Sequence, residues 1–180
     1  DPDTLVVVNC AGRTRSIIGA QSLINVDIDN KILALENGTM GWHLAGFELE
    51  NGQIRQAPKP SKKNLLWAQN VAQRLAERTA INYVDWHTLS LWKRDAEAHT
   101  LYLFDVRSPE EYVSGHLPGS RNAPGGQLIQ ASDTYIGALG ARIVLIDNDG
   151  VRAKTTASWL IQMGRPNVYV LKDFVGPHAS

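Results

Sequence analysis

The chain has a single cysteine, and its surroundings are those of a nucleophile. Cys10 follows the apolar run Leu5-Val6-Val7-Val8 and precedes the short polar loop Ala11-Gly12-Arg13-Thr14-Arg15. A thiolate, not a thiol, attacks electrophiles, and its pKa falls beside cations and at helix N-termini. Arg13 and Arg15 bring positive charge, and Gly12 permits a tight backbone. The N–H groups of Ala11 to Arg15 are expected to curl around the sulfur as an anion-binding nest. Such a cradle suits a thiolate, a persulfide anion or an incoming oxyanion.

A second loop, "IDNDGVRA", places Asp147 where the first places Cys10, with Gly150 and Arg152 behind it. Aspartate cannot carry a sulfur atom, and its charge repels anions; loop N–H groups are expected to satisfy its carboxylate internally. Arg152 then reads as a structural partner for carboxylates or loop carbonyls. A phosphoryl-transfer role for Asp147 would call for an acidic metal cluster, which the sequence lacks. His43, His87, His99 and His178 are scattered without ligand spacing, so neither metal nor cofactor is expected. His116, in Gly-His-Leu-Pro-Gly, reads as a hydrogen-bonded turn residue, and Asp105 with Arg107 as a buried pair or loop anchor.

The elements that must position these loops form an internal repeat. A shift of 137 residues lays Val6-Val7-Val8 on Ile143-Val144-Leu145, Cys10 on Asp147 and Arg15 on Arg152. With one residue of slippage, Ile32 to Leu35 falls on Val168 to Leu171. Each copy reads as strand, loop, helix and strand, the apolar runs being short and rich in β-branched residues as doubly buried parallel strands are. The intervening helices carry Ile17, Ala20 and Ile24 in one copy, and Ala153, Ala157, Leu160 and Ile161 in the other. The chain is therefore expected to be α/β with parallel sheet.

The copies differ in what precedes them. Before the Asp147 loop come a strand, Leu101 to Val106, and a helix start at Ser108-Pro109-Glu110-Glu111. Asp85 is placed to cap another helix running through Leu89 and Trp92. Before the Cys10 strand there are only four residues, so the first copy reads as a half-domain. The stretch 53–80 reads as an exposed linker followed by an amphipathic helix with Leu65, Ala68, Ala72 and Leu75 on one face. The five tryptophans are expected in the core and between domains.

Composition narrows the function classes. Of 180 residues, 43% are hydrophobic and 20% charged, enough for a buried core. Lysine plus arginine equals aspartate plus glutamate at 18 each, which argues against nucleic-acid or membrane-surface partners. One cysteine makes no internal disulfide, no apolar run reaches about 18 residues, and there is no basic-then-apolar leader. A cytoplasmic location is expected.

The stretch "FDVRSPEEYVSGHLPGSRNAP", followed by "IVLIDNDGVRA" and "NVYVL", resembles the rhodanese-like sulfurtransferases. "LVVVNCAGRTRS" and "LENGTMGWHLAGFELENG" are similar to the back half of the same domain. The resemblance implies a three-layer fold with a parallel central sheet. It places a C-terminal half-domain at 1–52, a linker and helix at 53–80, and a complete domain at 81–180. It further implies that Cys10 takes sulfane sulfur from a small donor such as thiosulfate and passes it to cyanide or a thiol, a ping-pong reaction. The Asp147 domain is expected to be inactive. The four-residue spacing from Cys10 to Arg15 favours sulfur over phosphate, since phosphatase relatives use one residue more. The alternative expectation is a non-catalytic binding or scaffold module. In either case the chain is expected to be a piece of a larger multi-domain protein, its half-domain completed by a preceding segment or another chain.

Overall fold

The computed structural model describes residues 1, 3–55, 57–95 and 98–174, so His178 lies outside the described residues. The chain divides into two units, Asp1–Asn64 and Leu65–Ser180. The first contains β1 (Val6–Val8), α1 (Thr14–Asn25), β2 (Ile32–Ala34) and α2 (Gly38–Leu44). Helix α3 (Lys62–Arg78) leads into the second unit, with β3 (Asn82–Val84), α4 (Trp86–Arg94), β4 (Leu101–Asp105) and α5 (Pro109–Ser114). There follow β5 (Arg121–Asn122), α6 (Gly125–Gln130), α7 (Ser132–Tyr135), β6 (Arg142–Ile146), α8 (Arg152–Gln162) and β7 (Val168–Leu171).

The second unit is built on a five-stranded parallel sheet in the order β3-β7-β6-β4-β5. Side chains alternate across a strand, and here both faces are covered. Ile143, Leu145, Phe104, Val168 and Val170 point to one side, where they meet Ala76 of α3, Leu128 of α6, and Ala153, Ala157 and Leu160 of α8. Val144, Ile146, Leu103 and Leu171 point to the other side and meet Leu89 of α4. The result is a three-layer α/β fold with a parallel central sheet.

Local chemistry starts the helices where expected. Asp85 caps α4 by accepting the Thr88 N–H at 2.8 Å. Ser108 and Glu111 form a reciprocal capping box on α5, with Pro109 in the first turn. Gly125 and Gly126 begin α6, where the carbonyl of Pro124 at its N-cap accepts the N–H groups of Gln127 and Leu128.

The first unit repeats the register of the second. Val6 pairs Ile32 and Val7 pairs Leu33, as Ile143 pairs Val168 and Val144 pairs Tyr169. Its two strands nonetheless differ in environment. Helix α1 covers one face, with Ala20 buried and Gly19 close against Val8. On the other face Val7 is 49% and Leu33 43% exposed, whereas Val144 is fully buried. The expectation of doubly buried strands fails here: within the first unit the face of this pair away from α1 is left open. Ile17 and Ile24 of α1 are likewise about half exposed. The tryptophans meet the expectation only in part: Trp92 packs half-buried against the core, while Trp42, Trp67 and Trp86 are exposed.

Candidate active site

Cys10 lies two residues beyond β1 and is half-buried at the start of the loop into α1. Its sulfur lies 3.4 Å from the Ser16 hydroxyl, which itself donates to the Arg13 carbonyl at 2.8 Å. The side-chain hydrogen bond to Ser16 lowers the thiol pKa most; partial burial opposes it. The N–H groups of Ser16 and Gly12 and the positive charge of Arg15 lower it further. Backbone amides, a hydroxyl and a cation thus converge on one atom, as thiolate stabilisation requires.

What turns those amides inward is the segment after β2. The Thr39 N–H donates to the Cys10 carbonyl at 2.9 Å and the Met40 N–H to the Ala11 carbonyl at 3.0 Å. The first-turn donors of a helix have no partner inside it, and α2 gives two of them to the loop's carbonyls. Those carbonyls are drawn away from the sulfur, leaving the N–H side of the loop to face it. Asn9 steadies the arrangement through the Thr39 hydroxyl at 3.1 Å. Gly38 makes the approach possible: a Cβ there would collide with the carbonyl oxygens of Cys10 and Gly12. Its φ of +58° is also one that side chains disfavour.

The other loop residues fall as follows. Arg13 is the N-cap residue of α1 and Thr14 its first helical residue. The side chains of Ala11, Arg13, Thr14 and Arg15 are exposed. Among the described residues no carboxylate pairs with Arg13 or Arg15. Residue type and spacing alone do not single out Ser16. A hydroxyl one turn into a helix that follows a cysteine loop is the signal that could have found it.

The second loop has the same backbone plan and a different filling. Asp147 accepts the N–H groups of Gly150 at 3.2 Å and Ala153 at 2.9 Å. Ala153 is the counterpart of Ser16 under the repeat, so the same first-turn amide serves both loops. Burial and a hydrogen bond to the Asp149 carboxyl push the Asp147 carboxyl up to about 6. Arg152, the counterpart of Arg15, is fully engaged. It donates to both oxygens of Glu111 at 2.5 and 3.0 Å, to Asp149 at 2.6 Å and to Asn148 at 3.0 Å. Those Arg152 bonds hold Glu111 down at about 2. A cavity of about 380 Å³ opens over this loop, lined among others by Asp147, Gly150, Lys154, Lys172 and Phe174.

Asp105 and Arg107 form a buried ion pair at 2.6 Å, with Arg107 also donating to the Gly115 carbonyl. They anchor the turn that presents Glu111. His116 stacks on Tyr112, its Nδ1 2.9 Å from the Tyr112 carbonyl, so it is a turn residue as the sequence suggested. No helix among the described residues is long and apolar enough to cross a membrane.

Comparison with known proteins bears on this geometry. A crystal structure of a thiosulfate sulfurtransferase from Pseudomonas aeruginosa superposes with a TM-score of 0.88 at 53% identity, covering 96% of this chain and 32% of that one. In Mycobacterium tuberculosis, strains CDC 1551 / Oshkosh and H37Rv, the protein SseB carries a provisional thiosulfate sulfurtransferase name. It is 27% identical over 154 residues, 79% of this chain and 46% of SseB. The chain thus spans less than half the length of each of these relatives. Residues 87–175 match the rhodanese-like domain model. With its parallel three-layer sheet, the second unit carries a rhodanese-like domain.

Proposed function

We propose that this chain contributes the sulfur-carrying loop of a thiosulfate-type sulfurtransferase, with Cys10 as the carrier. In the first half-reaction the Cys10 thiolate attacks the outer sulfur of thiosulfate. A new S–S bond forms, the old one breaks, and sulfite leaves with the electron pair. In the second, an acceptor such as cyanide or a thiolate attacks the outer sulfur of the persulfide, and Cys10 leaves as thiolate. The protein chemistry required is covalent catalysis by an activated sulfur. The observation that carries this reading is the convergence of the Ser16 hydroxyl, the Gly12 and Ser16 N–H groups and the Arg15 charge on Cys10. Arg13 and Arg15, which pair with no carboxylate among the described residues, are available to a dianionic donor.

The Asp147 loop is, on this reading, catalytically silent. Its cradle is filled by its own carboxylate, and its arginine is committed to Glu111 and Asp149. The exposed face formed by Val7 and Leu33 favours a role for a further segment, from the same or another chain, in completing the first unit. We place the protein in a reducing compartment such as the cytoplasm, on its lone cysteine.

Intact-mass measurement after incubation with thiosulfate tests the proposal. The wild-type chain is expected to gain one sulfur atom, which cyanide removes, while Cys10→Ser gains nothing. No gain, both in this chain and in one extended to complete the first unit, would leave the binding or scaffold module as the better account.

A further inference from the structure

We propose that Ser16 is a positioning residue for the Cys10 sulfur, its one hydroxyl proton turning to the sulfur when that atom is charged and to the Arg13 carbonyl when it is not. The inference rests on the reading of Cys10 as sulfur carrier. Ser16 is 1% exposed, and its oxygen sits between two partners, 3.4 Å from Sγ and 2.8 Å from the Arg13 carbonyl. A hydroxyl carries one hydrogen and two lone pairs. With a neutral thiol, S–H donates to Ser16 and Ser16 donates to Arg13. With a thiolate, the sulfur has no hydrogen to give, and the hydroxyl must supply the bond.

The repeat furnishes an internal control. Where the cysteine is replaced by Asp147, Ser16 is replaced by Ala153, whose side chain has nothing to donate. The carboxyl is served by the Gly150 and Ala153 amides and by the Asp149 carboxyl, with no hydroxyl in the place of Ser16, so the hydroxyl accompanies the sulfur rather than the loop fold. Nearby elements bring few rivals for this role. β1 and β2 carry no titratable residue, and α2 carries only His43, with Glu36 shortly before it. Arg13 and Arg15 are the cations of the loop itself.

The consequence for the reaction is directional. Loading moves the negative charge to the outer sulfur of the persulfide, leaving Sγ neutral, and the hydroxyl returns to Arg13. Discharge restores charge on Sγ as the S–S bond breaks, and the hydroxyl swings back to receive it. Ser16 therefore assists the departure of the Cys10 thiolate in the second half-reaction.

Two experiments test this, one on variants and one on the wild-type chain. The pH profile of Cys10 alkylation is expected to move up by about one unit in Ser16→Ala, a roughly tenfold loss of thiolate at neutral pH. Discharge of a preloaded persulfide by cyanide should slow about tenfold, and Ser16→Thr, which keeps the hydroxyl, should restore both. An unmoved profile with a lowered melting temperature would reduce Ser16 to packing and overturn the proposal. The second experiment needs no variant: the carbon-13 shift of the Arg13 carbonyl in the wild-type chain should titrate with the Cys10 midpoint. A carbonyl that ignores the ionisation of Cys10 also overturns it. Neither the alkylation profile nor the carbonyl titration requires sulfur transfer. A chain that takes no sulfur yet shows both changes would sink the sulfurtransferase reading and leave the role of Ser16 standing.

Discussion

Replacing Asp147 by asparagine should stabilise the second unit, and only above a defined pH. The Asp147 carboxyl is pushed up from 3.8 to about 6, chiefly by burial and by the hydrogen bond to Asp149. Between those values the unfolded chain has released the proton while the folded chain still holds it. Stability therefore falls as pH rises through this window, by about 1.4 kcal/mol for each unit separating the two pKa values. The loss levels off above about 6 at no more than about 3 kcal/mol. Asp149, held low by the same pair, offsets part of this, so the measured gain should lie below that ceiling. Asparagine keeps one oxygen for the Ala153 N–H and offers an amide to Asp149, with no charge to desolvate. Urea unfolding of wild type and Asp147→Asn, followed by tryptophan emission from pH 4 to pH 8, provides the assay. The two proteins should be equal near pH 4 and the variant more stable by about 1–3 kcal/mol at pH 8. Equal stability at pH 8, or a difference that does not change with pH, would refute the assignment of a buried carboxyl with a raised pKa to this loop.

Other substitutions probe the remaining supports. Gly38→Ala should abolish rapid alkylation of Cys10 at neutral pH, because the new methyl group collides with the Cys10 and Gly12 carbonyls and the loop must open. Iodoacetamide kinetics would show it, and wild-type rates would mean that α2 does not shape the loop. Arg107→Ala leaves Asp105 buried without its partner and should cost about 3–5 kcal/mol. A urea midpoint close to wild type would show that the pair is dispensable.

Much of the architecture was legible because hydrophobic periodicity and cap chemistry are local. The strand–loop–helix–strand repeat, the Asp85 cap and the Ser108–Glu111 box all follow from residues within a few positions of one another. Periodicity, however, reports which side of an element is apolar, not what covers it. Val7, Leu33, Ile17 and Ile24 read as core and are half exposed, because burial depends on neighbours that the short-range pattern does not contain. The tryptophans misled for the same reason. At the site, the cysteine, glycine and arginines were recognisable from their types. The contribution of Ser16 depends on the helix placing position 16 over position 10, and that of Thr39 and Met40 on a contact some thirty residues away.

The amide of the first helical turn points at Cys10 in one loop and at Asp147 in the other, and amides are common to every residue but proline. A cradle made of main chain is thus inherited intact whatever side chain occupies it. After a duplication, either copy can exchange its reactive atom for an inert plug without rebuilding the surrounding scaffold. The same economy works in reverse: a loop plugged by a carboxylate keeps its ring of amides and stands only a few side-chain changes from an open anion socket.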